Sequence, residues 1–248
     1  AFVNLLHPFQ PLIIGQRIIG PAMAKRFGVQ LVMYGENQAE YGNAIEENSN
    51  PLMDTDFFSV DDLSDMKFGG VSADEYIVNG SYTKGDFAPY IAPDKASILD
   101  AGIETHYLGY YLKWDPQECY YYASENTGFE ANPYRTEGTY SKYSSIDDKV
   151  DPFHYYTTLV KFGIGRCTYD AAQEVRNGKI SRSEAAYLIN KYDTEFPSKY
   201  FPDFLEYISM SEEEFTLIID AHRSPHIWKQ TPEGWKLRHT VSKDGEDD

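Results

Sequence analysis

Basic residues are scarce in this chain: 22 Lys and Arg stand against 39 Asp and Glu, a formal net charge of −17 over 248 residues. So acidic a surface repels a phosphate backbone, which is held by clustered Lys and Arg that displace counterions. A tRNA or DNA substrate is therefore not expected. Part of the excess sits in the tail (Asp244, Glu246, Asp247, Asp248), but removing it does not reverse the sign. Cysteine is almost absent. Cys119 and Cys167 lie far apart without a CxxC partner, which excludes a disulfide framework and points to two free thiols in a cytoplasmic protein. No apolar run approaches the length of a membrane span, and no signal peptide is visible. Ala1 opens the text inside an apolar stretch, AFVNLLHPF, as a fragment would begin.

Several signatures are missing too. There is no Walker A loop, no GxSxG elbow, no Rossmann GxGxxG and no HExxH. The histidines (His7, His106, His154, His222, His226, His239) show no ligand spacing and read as hydrogen-bonded structural residues. What the chain has in abundance is aromatic: 21 Tyr and 14 Phe. Such rings suit half-wet interiors and sugar or nucleobase stacking, and most are expected in core and subunit interface.

Residues 16–27 carry apolar positions at helical spacing and stop at Gly28, a good C-cap residue. VQLVMYG follows and reads as a buried parallel strand running into the polar loop GENQAEYG. In open parallel sheets, ligands bind at such carboxyl ends. Residues 43–105, with short helical candidates near 60–67 and 72–78, read as an insertion or lid. THYLGYYLKW is strand-like. Asp115 before Pro116, with Glu118 at the third helical position, opens a helix through YYYASENTGF. From 151 onward DPFHYYTTLVKFG, TYDAAQEVRNG, SRSEAAYLINKYD and SEEEFTLIIDAHR are helical, two of them with S-x-x-E boxes at Ser181/Glu184 and Ser211/Glu214.

Four clusters could carry chemistry. Glu36, Asn37 and Glu40 in GENQAEYG offer hard oxygens for Mg²⁺, a ribose or an amide, or they form a polar loop capping the next helix. Glu118, Tyr122 and Glu125 share a helix face beside Tyr121, after Lys113-Trp114-Asp115: a substrate wall, or a helix packed on a sheet. The loop from Glu137 to Lys142 supplies Gly138, Thr139, Ser141 and Lys142 to cradle a phosphate through amides and charge, with Asp147, Asp148 and Lys149 behind it. Lys161-Phe162-Gly163-Ile164-Gly165-Arg166 is a Gly-flanked basic pair suited to an anion, although Arg166 and Asp170 at i,i+4 also fit a surface ion pair. These residues by themselves specify an acidic α/β protein with an anion site.

Taken in order, HPFQPLIIGQ, YGENQAEYG, YLGYYLKWDPQECYYYASENTGF, EGTYSKYSSIDDKVDPFHYY, KFGIGR and KYDTEFPSKYF resemble the N-acetyl sugar amidotransferase family of PP-loop ATP pyrophosphatases, from about residue 2 to 241. The resemblance implies a Rossmann-like PP-loop (adenine nucleotide alpha hydrolase-like) parallel sheet, here its C-terminal part. Residues 1–130 would be the rest of that core, with the insertion near 43–105, and 131–248 a mainly helical region. It implies ATP and Mg²⁺ as cofactors and an acetamido sugar or nucleotide sugar as substrate. A separate glutaminase would supply ammonia, in surface-polysaccharide biosynthesis such as that of lipopolysaccharide O-antigen. The family's SGGxDS-type loop and N-terminal cysteines are not in this sequence, so zinc and the ATP loop have no residues here.

By the same resemblance Glu36, Asn37, Glu40 and Arg166 are catalytic, while Ser141, Lys142, Lys161 and Arg166 bind phosphate. Tyr41, Tyr110, Trp114, Glu118 and Tyr122 contact the sugar or base. No nucleic acid and no membrane are expected as partners, and a homo-oligomer is compatible with the sequence. Rival readings are another PP-loop enzyme, such as a tRNA-modifying one, and a non-catalytic sugar-binding or assembly module.

Overall fold

A computed structural model describes residues 1–35, 50–59, 65–80 and 82–241. The chain forms two compact units, Ala1–Trp114 and Asp115–Asp248. The division falls ahead of the helix that begins at Pro116, not near residue 130.

Unit 1 begins with helices α1 (Phe2–Leu5) and α2 (Gln10–Phe27), followed by strand β1 (Leu31–Tyr34). Hairpin β2 (Lys67–Phe68)–β3 (Val71–Ser72) comes next, then α3 (Ala73–Val78), α4 (Lys84–Phe87), α5 (Lys95–Asp100), β4 (Glu104–Tyr107) and α6 (Leu108–Tyr111). The expected strand through THYLGYYLKW thus stops at Tyr107 and turns directly into α6. β1 and β4 pair in parallel, Leu31 opposite Glu104 and Tyr34 opposite Tyr107. The far edge of β4 is met by the segment at 51–53, through Met53 N to Thr105 O and Tyr107 N to Pro51 O at 2.8 Å each.

Packing of α2 on β1 depends on three neighbouring residues. Pro21 lacks the N–H that would bond the Arg17 carbonyl inside the helix. The Tyr34 hydroxyl reaches that carbonyl at 2.9 Å and the Gln16 carbonyl at 2.7 Å, so a β1 side chain repairs the gap. Gly20 permits the approach, since a Cβ there would sit 3.0 Å from Val32 and from Tyr34. The opposite face of β1 is open: Leu31 is 54% and Met33 43% exposed. This corrects the expectation of a buried strand. A two-stranded parallel pair with one helix on it covers only one face.

Unit 2 is mainly helical. It contains α7 (Pro116–Asn126), α8 (Asp151–Phe162), α9 (Arg166–Arg176), α10 (Arg182–Tyr192), α11 (Phe201–Ile208) and α12 (Glu212–Ala221), then hairpin β5 (Trp228–Thr231)–β6 (Gly234–Leu237). Both S-x-x-E boxes cap their helices reciprocally, and Asp115 accepts from Glu118 N at the start of α7. The core is aromatic. Phe153 stacks on Phe204 at 4.1 Å and on Phe201 at 5.9 Å, with Phe196 and Phe215 edge-on around them. Trp228 closes one side, its indole N–H donating to the Val160 carbonyl at 2.8 Å. No helix among the described residues is long and apolar enough to cross a membrane.

Candidate functional site

In unit 2 the loop between α7 and α8 folds over the first turn of α9, and a largely buried ion cluster forms there. Arg166, the first residue of α9, donates from Nε to Asp170 Oδ1 at 3.0 Å and from Nη1 to Asp151 Oδ2 at 3.3 Å. Its guanidinium lies 4.2 Å from the Tyr155 ring centre. Thr139 donates to the second oxygen of Asp170 at 2.5 Å, and Ser145 donates to Asp151. Ser145 holds a left-handed φ of 55°, an uncommon conformation for a residue with a side chain. Burial opposes the Arg166 charge, but Asp170, Tyr155 and Asp151 outweigh it and hold the guanidinium well above its ordinary range. Burial also pushes Asp151 upward, opposed by Arg166 and Ser145. The i,i+4 pair read from sequence is real, but it belongs to a buried cluster of two carboxylates and one cation, not to a helix surface.

In the loop expected to cradle a phosphate, the Gly138 amide and the Thr139 hydroxyl are turned to the protein's own carboxylates. Glu195 accepts from the Gly138 amide at 2.8 Å and takes a two-pronged ion pair from Arg135, 2.6 Å on each arm. Asp193 occupies the N-terminus of α9, accepting from Gly165 N at 2.9 Å, Thr168 N at 2.8 Å and Thr168 Oγ1 at 2.8 Å. That turn, in KFGIGR, is where an anionic ligand is expected from the sequence. Gly165 is required by the fit: a Cβ would fall 2.6 Å from the Asp193 carbonyl oxygen.

The named residues divide as follows. Ser141 is buried and turned into its own loop, its Oγ accepting from Ser144 Oγ at 2.9 Å and from Tyr143 N at 3.3 Å. Lys142 is exposed. Lys161 and Arg166 both act electrostatically on His154. Burial, then the charges of Lys161 and Arg166, lower the His154 pKa to about 4. Burial lowers Lys161 as well. Glu118 ion-pairs with Lys179, which also reaches Asp115 at 3.6 Å. Tyr122 is 68% exposed, so its helix face is not packed on a sheet. Tyr110 and Trp114, in unit 1, are exposed. Glu36, Asn37, Glu40 and Tyr41 lie outside the described residues.

Residues missed from sequence are Asp151, Asp193, Glu195 and His154. Only His154 left a trace: it lies seven positions, two helical turns, before Lys161 on α8. Beside the cluster, Tyr155, Tyr156, Arg166, Glu137 and Glu195 line a crevice of about 230 Å³ including its open mouth. No group of three or more His, Cys, Asp or Glu among the described residues could hold a metal ion.

His154 gives a pH signature. Its folded pKa of about 4 lies below the ordinary 6.5, so the neutral ring contributes stability above pH 6.5 that is lost as pH falls toward 4. Between pH 7.5 and pH 5 that loss is on the order of 2 kcal/mol. In urea titrations at the two pH values, His154→Gln should reduce the difference by about that amount. An unchanged difference would mean that His154 is solvated.

The chain thus joins a mixed helix and strand unit, with β1 and β4 paired in parallel, to a helical unit organised by a buried Arg–carboxylate cluster. Residues 137–241, which include the loop, the cluster and the C-terminal hairpin, match the family described as "LPS biosynthesis protein WbpG-like, C-terminal domain". That match supports a WbpG-like lipopolysaccharide-biosynthesis family for this segment. No curated protein matches the chain.

Proposed function

We propose that the chain is the acceptor-side part of an ATP-dependent amidotransferase that converts the acetamido group of a sugar or nucleotide sugar to an acetamidino group during lipopolysaccharide biosynthesis. One observation carries the reading to the site: the parallel pairing that sets Tyr34 of β1 opposite Tyr107 of β4. The chain therefore leaves both strands at the same carboxyl edge, the usual ligand edge of parallel sheets. Glu36, Asn37 and Glu40 follow β1 within six residues, and Tyr110 and Trp114 follow β4 within seven. Among the described residues β1 pairs with β4 alone, so its other edge is compatible with a larger parallel sheet of PP-loop type.

The chemistry suits these residue types. An acetamido carbonyl is a poor electrophile whose oxygen leaves badly. Attack of that oxygen on the α-phosphate of ATP forms an O-adenylyl imidate and releases pyrophosphate. Ammonia then adds at carbon, AMP departs with the oxygen, and a proton is lost to leave the acetamidino group. Glu36 and Glu40 would take protons from the amide and the incoming ammonia, with Asn37 orienting the acetamido group. Lys142 and Lys161 would face phosphate oxygens, and Glu118, Tyr122, Tyr110 and Trp114 would contact sugar or base. Tyr41 would close on the same sugar. Arg166, already held by two carboxylates, would order the loop that carries Lys142. Bound Mg²⁺ would offset charge on the pyrophosphate; no described residues form a site for it. A glutaminase subunit is the natural source of ammonia, which is mostly protonated at neutral pH.

The test is AMP release by the complete enzyme with ATP, ammonium and a panel of acetamido sugars. Sugar-dependent AMP is expected, and Glu36→Gln should reduce it at least about a hundredfold. Near-normal turnover would remove Glu36 from the mechanism. Formation of ADP instead of AMP would sink the reading.

A further inference from the structure

Unit 1 is built around two separate hydrophobic clusters, and a cavity lies between them. One holds Ala24, Met53, Phe58, Ile98, Ile103 and Tyr107. The other holds Ile18, Met66, Phe68, Ala73 and Phe87. Phe58 from the first cluster and Ile18 and Met66 from the second line an open cavity of about 150 Å³. Protein interiors are close-packed and contain few voids larger than a water. This one has room for a benzene-sized ring, which a cavity of about 150 Å³ holds.

Its chemistry is two-sided. Ile14, Ile18, Phe58 and Met66 make the walls apolar, while Arg17, Asp56, Ser59 and Lys67 bring polar groups to it. Asp56 is ion-paired to Lys95, so the one carboxylate among the described lining residues is already offset. Arg17 and Lys67 have no carboxylate within ion-pair distance among the described residues, whereas Lys25 and Lys95 of the same unit do. The Arg17 guanidinium instead lies 5.6 Å from the centre of the Phe57 ring. That ring is 40% exposed although it lines the cavity. In a chain of net charge −17, two cations that have no carboxylate partner among the described residues, beside an apolar cavity, form a local positive site. The combination fits a ligand that is apolar at one end and negative at the other.

We propose that the cavity lined by Ile14, Arg17, Phe57, Phe58, Met66 and Lys67 binds a small ligand made of a flat apolar ring bearing an anionic group. The ring packs against Phe58, Met66 and the inner face of α2, and the anion is held by Arg17 and Lys67. This does not depend on the amidotransferase reading, because it concerns binding alone and uses none of the residues assigned to that reaction.

Phenyl phosphate is the simplest probe, with phenol and inorganic phosphate as its two halves. Titration calorimetry on the 248-residue chain is expected to show phenyl phosphate binding at least about tenfold tighter than either half. Arg17→Met should weaken it at least about fivefold, because the anion loses its fixed donor. Ile14→Trp should block it by filling the cavity. Lys25→Met, which breaks the ion pair to Asp94, should bind like the wild type, and circular dichroism of each variant establishes that it is folded. Equal affinity for phenyl phosphate and inorganic phosphate would overturn the proposal, since the cations would then act as a plain anion surface. So would wild-type affinity in folded Arg17→Met, or no phenyl phosphate binding at about 10 mM, where even a weak site would respond.

Discussion

Replacing Arg166 with methionine is expected to lower the unfolding free energy of unit 2 by about 3–5 kcal/mol, the range seen when one partner of a buried ion pair is removed. The loss comes from what is left behind. Asp170 at 3.0 Å and Asp151 at 3.3 Å are both largely enclosed, and without the guanidinium they face each other uncompensated. Methionine keeps much of the packing on Tyr155, so the change reports mainly on charge. Asp170→Asn in the same chain removes one of the stranded charges and should recover part of the loss. Arg166→Lys should fall between, because a point ammonium cannot serve two carboxylates in different directions as a guanidinium does. Urea unfolding followed through Trp228 reads all three. A loss below about 1 kcal/mol in Arg166→Met would place the cluster in solvent, where ion pairs contribute that little.

Asp193→Ala should cost about 2–4 kcal/mol by a different route. The carboxylate accepts from two backbone amides and one hydroxyl in the first turn of α9, and the Cys167 amide adds to them. Removing it leaves buried donors with no acceptor, which is dearer than an ordinary exposed cap. Burial raises the Asp193 pKa more than its donors lower it, so the ion is held under strain. Asp193→Asn should therefore retain more stability than alanine, since the amide oxygen still accepts. Gly165→Ala reaches the same end sterically, its Cβ pressing on the Asp193 backbone. If Asp193→Ala unfolds at the wild-type urea midpoint, water caps α9 and the carboxylate is dispensable.

Local chemistry was readable wherever a motif closed on itself within four residues. Gly28 ends α2 in the left-handed conformation, φ 67°, and Ser181/Glu184 and Ser211/Glu214 cap α10 and α12. The hairpin at Trp228–Leu237 and helix α11 went unread, although Pro202 at its start and the Pro-Glu-Gly turn were signals. The anion site shows the other limit. Gly138, Thr139 and Gly165 form a donor pattern in the sequence, yet their acceptors stand far along the chain: Glu195 is 57 residues from Gly138, Asp170 is 31 from Thr139, and Asp193 is 28 from Gly165. A donor pattern in one segment says nothing about which carboxylate tertiary folding delivers to it. An acidic chain has many to deliver. The exposure of Leu31 and Met33 was equally hidden, because an apolar strand sequence looks the same whether one face is covered or two.

The central claim is that the acetamido oxygen is activated by transfer to AMP, and an oxygen label follows that atom directly. The complete enzyme would be given ATP, ammonium and an acetamido sugar carrying ¹⁸O in its carbonyl, and the products read by mass spectrometry. One ¹⁸O per AMP, with an unlabelled acetamidino sugar, is the predicted result. Unlabelled AMP, with the ¹⁸O kept in the sugar or released to water, would contradict it.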